Sequence, residues 1–508
     1  MLFCEVVTAS GQVAATGSRN AKVAVLADLL ARAEPDEVDV LAHFLAGRLR
    51  QRRTGIGWRS LTGFPAAAEP SLTLLEVDAA LERLAGLSGT GSQLARQAGL
   101  ADLMGRATEP EQGFLGALIV GETRQGALEG VLLQAIAQAW QVPAELVRRA
   151  AMFSGSVPAA ATAAASGGRE ALAAIRLQVG RPVLPMLASS ATGVAEALTR
   201  LGPGSPVAVE AKLDGIRIQA HRDGDRVAIY SRSLDDITVR LPEAVAAVAA
   251  LPCTSCVLDG EALSLSPNGR PRPFQETAAR SATQSGPVGP HLTPFFFDLL
   301  EVDGDDLVDA PTAVRQERLA ALVPSAHLVE RTVTADPAEA EEFANRVLAQ
   351  GHEGVVIKAL DLPYQAGRRG AGWIKVKPVL TLDLVVLAVE RGSGRRQGWL
   401  SNIHLGARDP AGGGFVMLGK TFKGMTDQML AWQTARFEEL KVADDGWVVQ
   451  VRPEQVVEIA FDGIQRSPRY PGKVALRFAR VVRYRDDKTP DEADTIDQVR
   501  ALARWEAG

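Results

Sequence analysis

The period of the hydrophobic pattern changes part-way along this chain, and that change restricts what the chain can fold into. Over the first 150 or so residues apolar side chains recur every three or four positions. Val23-Ala-Val-Leu-Ala-Asp-Leu-Leu-Ala-Arg32, Phe114 to Val120 and Gly126 to Trp140 all follow this rule. Such spacing lines one face of a helix, so an all-helical region is expected. From about residue 180 the period falls to two. Ile216-Arg-Ile-Gln-Ala-His-Arg222 and Arg226-Val-Ala-Ile-Tyr-Ser-Arg232 alternate around the turn residues Asp223-Gly224-Asp225, which predicts a hairpin. Val207–Lys212, Cys256–Glu261, Pro294–Leu300 and Gly354–Lys358 read as further strands, with helices near 241–251, 312–322 and 337–349. This middle region is expected to be α+β, built on antiparallel sheet.

Two composition shifts separate the textures. Residues 151–178 turn to Ala, Gly and Ser, as in Pro158-Ala-Ala-Ala-Thr-Ala-Ala-Ala-Ser-Gly-Gly168, a small-residue helix followed by a linker. Pro378 stands just before Leu382-Asp-Leu-Val-Val-Leu-Ala-Val389, where short strands with Gly-rich turns such as Asp409-Pro-Ala-Gly-Gly-Gly414 begin. That pattern suggests a small barrel. A chain of 508 residues exceeds one ordinary core. The expected fold is multidomain α+β: a helical domain over 1–175, an α+β domain over 180–378 and a β-barrel over 382–508.

No apolar run approaches the ~18 residues of a membrane helix, and Met1-Leu-Phe-Cys-Glu-Val-Val-Thr8 lacks the layout of a secretory signal. No membrane association and a cytoplasmic location are expected. Three cysteines, of which Cys253 and Cys256 form a lone CxxC, do not make a disulfide framework or a four-ligand zinc site. They read as small buried side chains entering a strand. The net charge of −5 argues weakly against a polyanion partner, but the average conceals segregation. Arg391 to Met425 holds six Lys/Arg against one Asp, and Gln465 to Lys488 holds eight against two. These basic stretches suit a phosphate backbone.

The chemistry centres on Glu210-Ala-Lys-Leu-Asp-Gly-Ile-Arg217. Lys212 sits between a strand and a turn. An ordinary lysine is protonated at neutral pH and becomes a nucleophile when neighbouring cations or desolvation favour its free amine. On its own the Lys-x-Asp-Gly pattern describes a structural turn lysine far more often than a reactive one.

Its company is more specific. Lys212 to Arg217 resembles the first motif of the covalent nucleotidyltransferases, which comprise DNA ligases, RNA ligases and mRNA capping enzymes. The other motifs follow in the family's order: Ser231-Arg232, Leu258-Asp-Gly-Glu261, Phe297-Asp298, Glu353-Gly-Val-Val-Ile-Lys358, Trp373-Ile-Lys375-Val-Lys377, and Arg477-Phe-Ala-Arg480 leading into Arg485-Asp-Asp487-Lys488. The flanks resemble ATP-dependent DNA ligases of the roughly 500-residue bacterial kind. Arg124-Gln-Gly-Ala-Leu-Glu-Gly130 is similar to a segment of their helical DNA-binding domain that contacts the DNA backbone, and Gly55-Ile-Gly-Trp58 is similar to a smaller element there. A helical domain argues against an RNA ligase or a GTP-using capping enzyme. The absence of a zinc-binding Cys cluster and of a BRCT domain argues against NAD as donor.

The resemblance implies an all-helical DNA-binding domain, an antiparallel α+β adenylation domain and a C-terminal OB-fold β-barrel. It implies sealing of nicks in double-stranded DNA in replication, repair or recombination, by a monomer using ATP and Mg²⁺, with Mn²⁺ as an alternative. Lys212 would carry AMP. Glu210 would accept a hydrogen bond from the adenine amino group and Phe297 would stack on the base. Arg217, Arg232, Lys358, Lys375 and Lys377 would contact the nucleotide, with Arg369 as a further candidate and Arg368 an equal alternative. Glu261 would contact the nucleotide and, with Glu353, supply oxygen ligands for the metal. Arg485, Asp487 and Lys488 would orient pyrophosphate. DNA contacts are expected at Arg124, Arg395, Arg396, Lys420 and Lys423. One small barrel cannot serve both pyrophosphate and DNA from a single pose, so a rotation hinged near residues 378–382 is implied.

Overall fold

In the computed structural model the described residues are 1–51, 54–57, 60–61, 63–123, 129–282, 289–365, 369–393 and 396–503. The N-terminal region is helical as the three-to-four spacing predicts. Its helices are α1 (Phe3–Ala15), α2 (Arg19–Ala31), α3 (Val38–Leu45), α4 (Leu74–Gly86), α5 (Ser92–Arg106), α6 (Glu109–Val120), α7 (Glu129–Ala139), α8 (Ala144–Ser154) and α9 (Val157–Ala174). Their apolar faces share one core that runs from Phe3 to Leu172. Polar caps set several starts: Ser18 Oγ accepts from the Ala21 amide, and Thr73 and Glu76 cap α4 reciprocally. The small-residue stretch forms α9. Its buried Ala160, Ala161 and Ala164 belong to the helical core, and Gly168, at φ +55°, kinks the helix.

The middle region contains two five-stranded sheets. Its strands are β1 (Leu187–Ala191), β2 (Val207–Lys212), β3 (Ile216–Asp223), β4 (Arg226–Ser231), β5 (Ser255–Leu263), β6 (Thr293–Val302), β7 (Asp305–Asp306), β8 (Arg331–Thr334), β9 (Gly354–Ala359) and β10 (Arg369–Val376). One sheet has the order β1-β10-β9-β2-β8 and the other β4-β3-β5-β6-β7. The pairings are antiparallel as expected, except that β1 runs parallel to β10. Helices α10 (Val194–Leu201) and α14 (Pro337–Ala349) cover the first sheet; α11 (Pro242–Ala249) and α13 (Thr312–Leu322) cover the second. A further helix, α12 (Phe274–Ala282), follows β5. Asp223 pairs with Arg226, so β3 and β4 form a hairpin with a two-residue loop, and Gly224 there takes φ +58°. Cys253 and Cys256 are buried free thiols at the entry to β5.

An ion pair lies beneath the second sheet. Arg315 on α13 and Asp298 on β6 are both fully buried, with Nε–Oδ1 at 2.7 Å and Nη2–Oδ2 at 3.1 Å. The Arg315 guanidinium also donates to the Leu362 carbonyl at 3.2 Å and to Thr312 Oγ1 at 3.3 Å. Removing one partner strands a buried charge. Arg315→Ala is therefore expected to destabilise the domain by about 3–5 kcal/mol, read from the denaturant midpoint. The double replacement Arg315→Met with Asp298→Leu is expected to lose much less.

The C-terminal region carries β11 (Leu380–Arg391), β12 (Leu400–Arg408), β13 (Phe415–Thr421), β14 (Lys441–Asp444), β15 (Val448–Val451), β16 (Val456–Phe461), β17 (Gly463–Arg466), β18 (Val474–Arg477) and β19 (Arg480–Tyr484), with α15 (Asp427–Glu439) and α16 (Ile496–Ala501). The long β11 pairs with β12 along one edge; along the other, it pairs first with β16 and then with β15. These strands enclose one apolar core. The expected barrel is an open one: among the described pairings nothing joins β13 to β19 or to β14. The connection from the middle region is short, because Leu380 to Leu382 already pair with Phe461 to Ile459; only residues 377–379 lie between β10 and β11.

Candidate active site

Lys212 is the last residue of β2, and the turn Leu213-Asp214-Gly215 carries the chain from the first sheet to the second. A side chain at Gly215 would place its Cβ 2.4 Å from the Ala262 carbonyl oxygen, so the crossing requires glycine. Gly354, paired with Lys212 on β9, has the same constraint: it takes φ +149°, and a Cβ there would stand 2.2 Å from the Val376 carbonyl oxygen. Close backbone packing at these glycines sets the lysine at the seam between the sheets.

Carboxylates and a second cation surround it. Glu353 Oε2 accepts a hydrogen bond from Lys212 Nζ, and Glu353 Oε1 accepts one from Lys377 Nζ at 2.6 Å. Burial pushes the Glu353 carboxyl upward, but the charges of Lys212 and Lys377 outweigh it and hold the group below its ordinary value. Glu261, on β5, accepts from the Gly215 amide at 3.1 Å. Its burial dominates over Arg217 and Lys212 and raises it to about 7. A carboxyl so poorly compensated suits a cation with oxygen preference. Mg²⁺ is commonly bound by one or two carboxylates together with substrate phosphates, so Glu261 and Glu353 fit it although no group of three metal-ligating side chains occurs among the described residues.

A second cluster lies behind the lysine. Glu210, two residues earlier on β2, is buried. Its Oε2 pairs with Lys358 Nζ at 2.6 Å, and its Oε1 accepts from Gln316 Nε2 at 2.9 Å. Burial raises its carboxyl despite the Lys358 charge. Lys358 Nζ stands 4.8 Å from the Phe297 ring centroid and 4.2 Å from that of Trp373, and the two rings meet edge to face at 5.9 Å. Arg217 is fully engaged: it binds Asp259 through Nε at 3.0 Å and Nη2 at 2.6 Å, and the Met186 carbonyl through Nη1 at 2.8 Å. Tyr364 donates to Asp259 Oδ2 at 2.7 Å.

The remaining nucleotide candidates are more dispersed. Lys375 on β10 is half-buried and pairs with Val356 of β9. Arg232 is exposed in the turn after β4. Arg369 begins β10, and Arg368 lies outside the described residues.

The C-terminal region meets this site through Arg477 and Arg480, which bound a quoted motif string but were given no role in it, and through Asp462, which no motif includes. Arg477 Nη1, on β18, contacts Asp214 Oδ2 at 2.9 Å, directly over the lysine turn. Asp462 stands 3.6 Å from Lys377 Nζ and 3.2 Å from Arg480 Nη1. A cleft of about 90 Å³ between the regions is lined by Asp214, Glu353, Asp462 and Arg477. Arg485, Asp487 and Lys488 are elsewhere. Arg485 binds Asp487 at 2.7 and 2.8 Å and Asp383 at 3.1 Å, and Lys488 binds Asp383 at 2.6 Å. All four are on the C-terminal region itself, so the structure does not bring this trio to Lys212.

Of the DNA candidates, Arg124 and Arg395 lie outside the described residues. Arg396 donates to the Phe422 carbonyl at 2.7 Å, Lys420 is paired with Glu390, and Lys423 is exposed with its Nζ 5.4 Å from the Phe478 ring.

Comparison with known proteins bears on this arrangement. Residues 185–377 match the family model of the ATP dependent DNA ligase domain, 396–488 that of the ATP dependent DNA ligase C terminal region, and 58–137 that of the DNA ligase N terminus. A probable DNA ligase of a Nocardioides species is 61% identical, covering 99% of each chain; one of Beutenbergia cavernae is 62% identical, covering 99% of this chain and 100% of its own. This chain belongs to the ATP-dependent DNA ligase family. The fold agrees: the solved structure described as Pmar-Lig_PreS3 superposes with a TM-score of 0.64 at 18% identity, covering 94% of this chain and 99% of that one. No helix among the described residues of the ligase is long and apolar enough to cross a membrane.

Several residues of the ligase site escaped the motif reading. Asp259 stands inside the Leu258-Asp-Gly-Glu261 string but was given no role there; the structure pairs it with Arg217. Trp373 was likewise within a quoted string. Gln316 and Tyr364 carry no local signal; they reach the site only because α13 and the segment before β10 fold beside it.

Proposed function

We propose that the ligase seals nicks in double-stranded DNA through an AMP carried on Lys212. The observation that carries this reading is Lys212 at the seam of two sheets, hydrogen-bonded to a carboxylate that Lys377 also holds. The free amine of Lys212 attacks the α-phosphorus of ATP. A P–N bond forms, the bond to pyrophosphate breaks, and the amine proton leaves. AMP then passes to the 5′-phosphate at the nick. The 3′-hydroxyl attacks that phosphate, closing the phosphodiester and releasing AMP.

Glu261 and Glu353 would hold a divalent cation, Mg²⁺ first, which supplies positive charge to the phosphates. Glu210 takes the adenine amino group and Phe297 stacks on the base. Lys358, Lys375 and Lys377 supply cations, while Arg217 braces the pocket wall through Asp259. Arg232 and Arg369 contact the nucleotide. Arg124, Arg395, Arg396, Lys420 and Lys423 bind DNA backbone. The protein acts as a monomer in the cytoplasm.

The test is sealing of a duplex with one 5′-phosphorylated nick, scored as full-length strand. Sealing is expected with ATP and Mg²⁺, absent with EDTA, and far weaker on a nicked RNA duplex. Efficient sealing of the RNA but not the DNA would overturn the choice of acceptor. With these five phosphate contacts, DNA affinity is expected to fall about five-hundredfold between 50 and 200 mM salt.

A further inference from the structure

We infer that Gln316 is a positioning residue for base recognition, acting through Glu210. The inference rests on the reading of Glu210 as acceptor of the adenine 6-amino group. Glu210 and Gln316 are 3% and 4% exposed, and Lys358 is 1% exposed. Lys358 at 2.6 Å already neutralises the carboxylate through Oε2. The other oxygen has two neighbours of different kinds. Gln316 Nε2 donates to Oε1 at 2.9 Å, whereas the Arg331 guanidinium waits at 3.8 Å.

A carboxylate oxygen accepts about two hydrogen bonds. With Gln316 on Oε1, one acceptor position remains for an amino group of the base. Without Gln316, that oxygen is buried with a donor missing, and Arg331 is the nearest group that can claim it. A guanidinium offers several N–H donors in a rigid fork and outcompetes a neutral amino group for an anion. Gln316 thus holds Oε1 with a neutral donor and keeps the carboxylate turned toward the base. It is itself fixed by its neighbour: Arg315, fully buried on Asp298, pins this turn of α13.

The experiment measures lysine adenylylation of the full chain with ATP and with a purine nucleoside triphosphate lacking the 6-amino group. Gln316→Met is expected to raise the KM for ATP roughly tenfold, with the limiting rate changed less than about twofold. On the nucleotide without the amino group it should match the wild type, which also shows that the variant is folded. Gln316→Asn, whose amide is one methylene short of the carboxylate, should repeat the pattern. Equal impairment on both nucleotides, or none on either, would overturn the inference. Glu210→Gln separates the two levels. If it keeps full preference for ATP, the reading of Glu210 fails and the inference with it. If it loses that preference while Gln316→Met and Gln316→Asn keep it, the inference alone fails.

Discussion

Lys212→Arg should leave no acid-labile AMP on the protein after incubation with ATP labelled at the α-phosphate and Mg²⁺, where the wild type takes up label. The guanidinium keeps the positive charge and can still reach Glu353, but it has no accessible neutral form to attack phosphorus. Loss of the nucleophile removes the covalent route altogether, so the expected fall in labelling reaches the detection limit. Lys212→Ala should behave in the same way. Prior treatment with pyrophosphate strips any AMP already bound and makes the wild-type signal interpretable. Persistent label in either variant would move the nucleophile to another side chain. The neighbouring Lys377, which shares Glu353, is the first to examine.

The second large effect concerns the C-terminal trio. Lys488→Ala should lower the rate of lysine adenylylation by about a hundredfold or more, the usual cost of removing a charged group aimed at developing phosphate charge. Sealing of a nick that already carries AMP on its 5′-phosphate should stay within a few-fold of the wild type. The reason lies in the two faces of the C-terminal region. In this structure Arg477 and Asp462 face the lysine turn, while Arg485 and Lys488 are bound to Asp383 on β11. If the trio orients pyrophosphate as proposed, it must first leave Asp383, and the short link at residues 377–379 is the expected place for the region to turn. A variant that slowed both steps equally would sink the two-pose reading. Arg485→Ala offers the same comparison with the Asp487 pair also removed.

Much of the fold was legible because it is written in local periodicity. The three-to-four spacing of Val23 to Arg32 yields α2, and the alternation around Gly224 yields the β3–β4 hairpin. The barrel was less legible. Short strands and glycine turns are visible in sequence, but whether the ladder closes depends on which edges of β11, β13 and β19 meet, and pairing of distant edges leaves no mark in any one strand. The link between the two regions was illegible for the same reason: Leu380 to Leu382 look like the exit from Pro378, and their pairing with β16 is a contact across some eighty positions of sequence.

By itself the sequence determined which residues are proposed as the nucleophile and the charges that serve it. Lys212, Glu261, Glu353 and Lys377 stand in short ordered motifs, since each must sit at a strand end or on a fixed strand face and so keeps fixed local spacing. Only the tertiary structure decided which groups stand against them. Gln316 on Glu210, Tyr364 on Asp259 and Arg477 on Asp214 are contacts between segments 106, 105 and 263 residues apart. A side chain's hydrogen-bond partner depends on distance in space, and local sequence fixes that distance only within one turn or one strand.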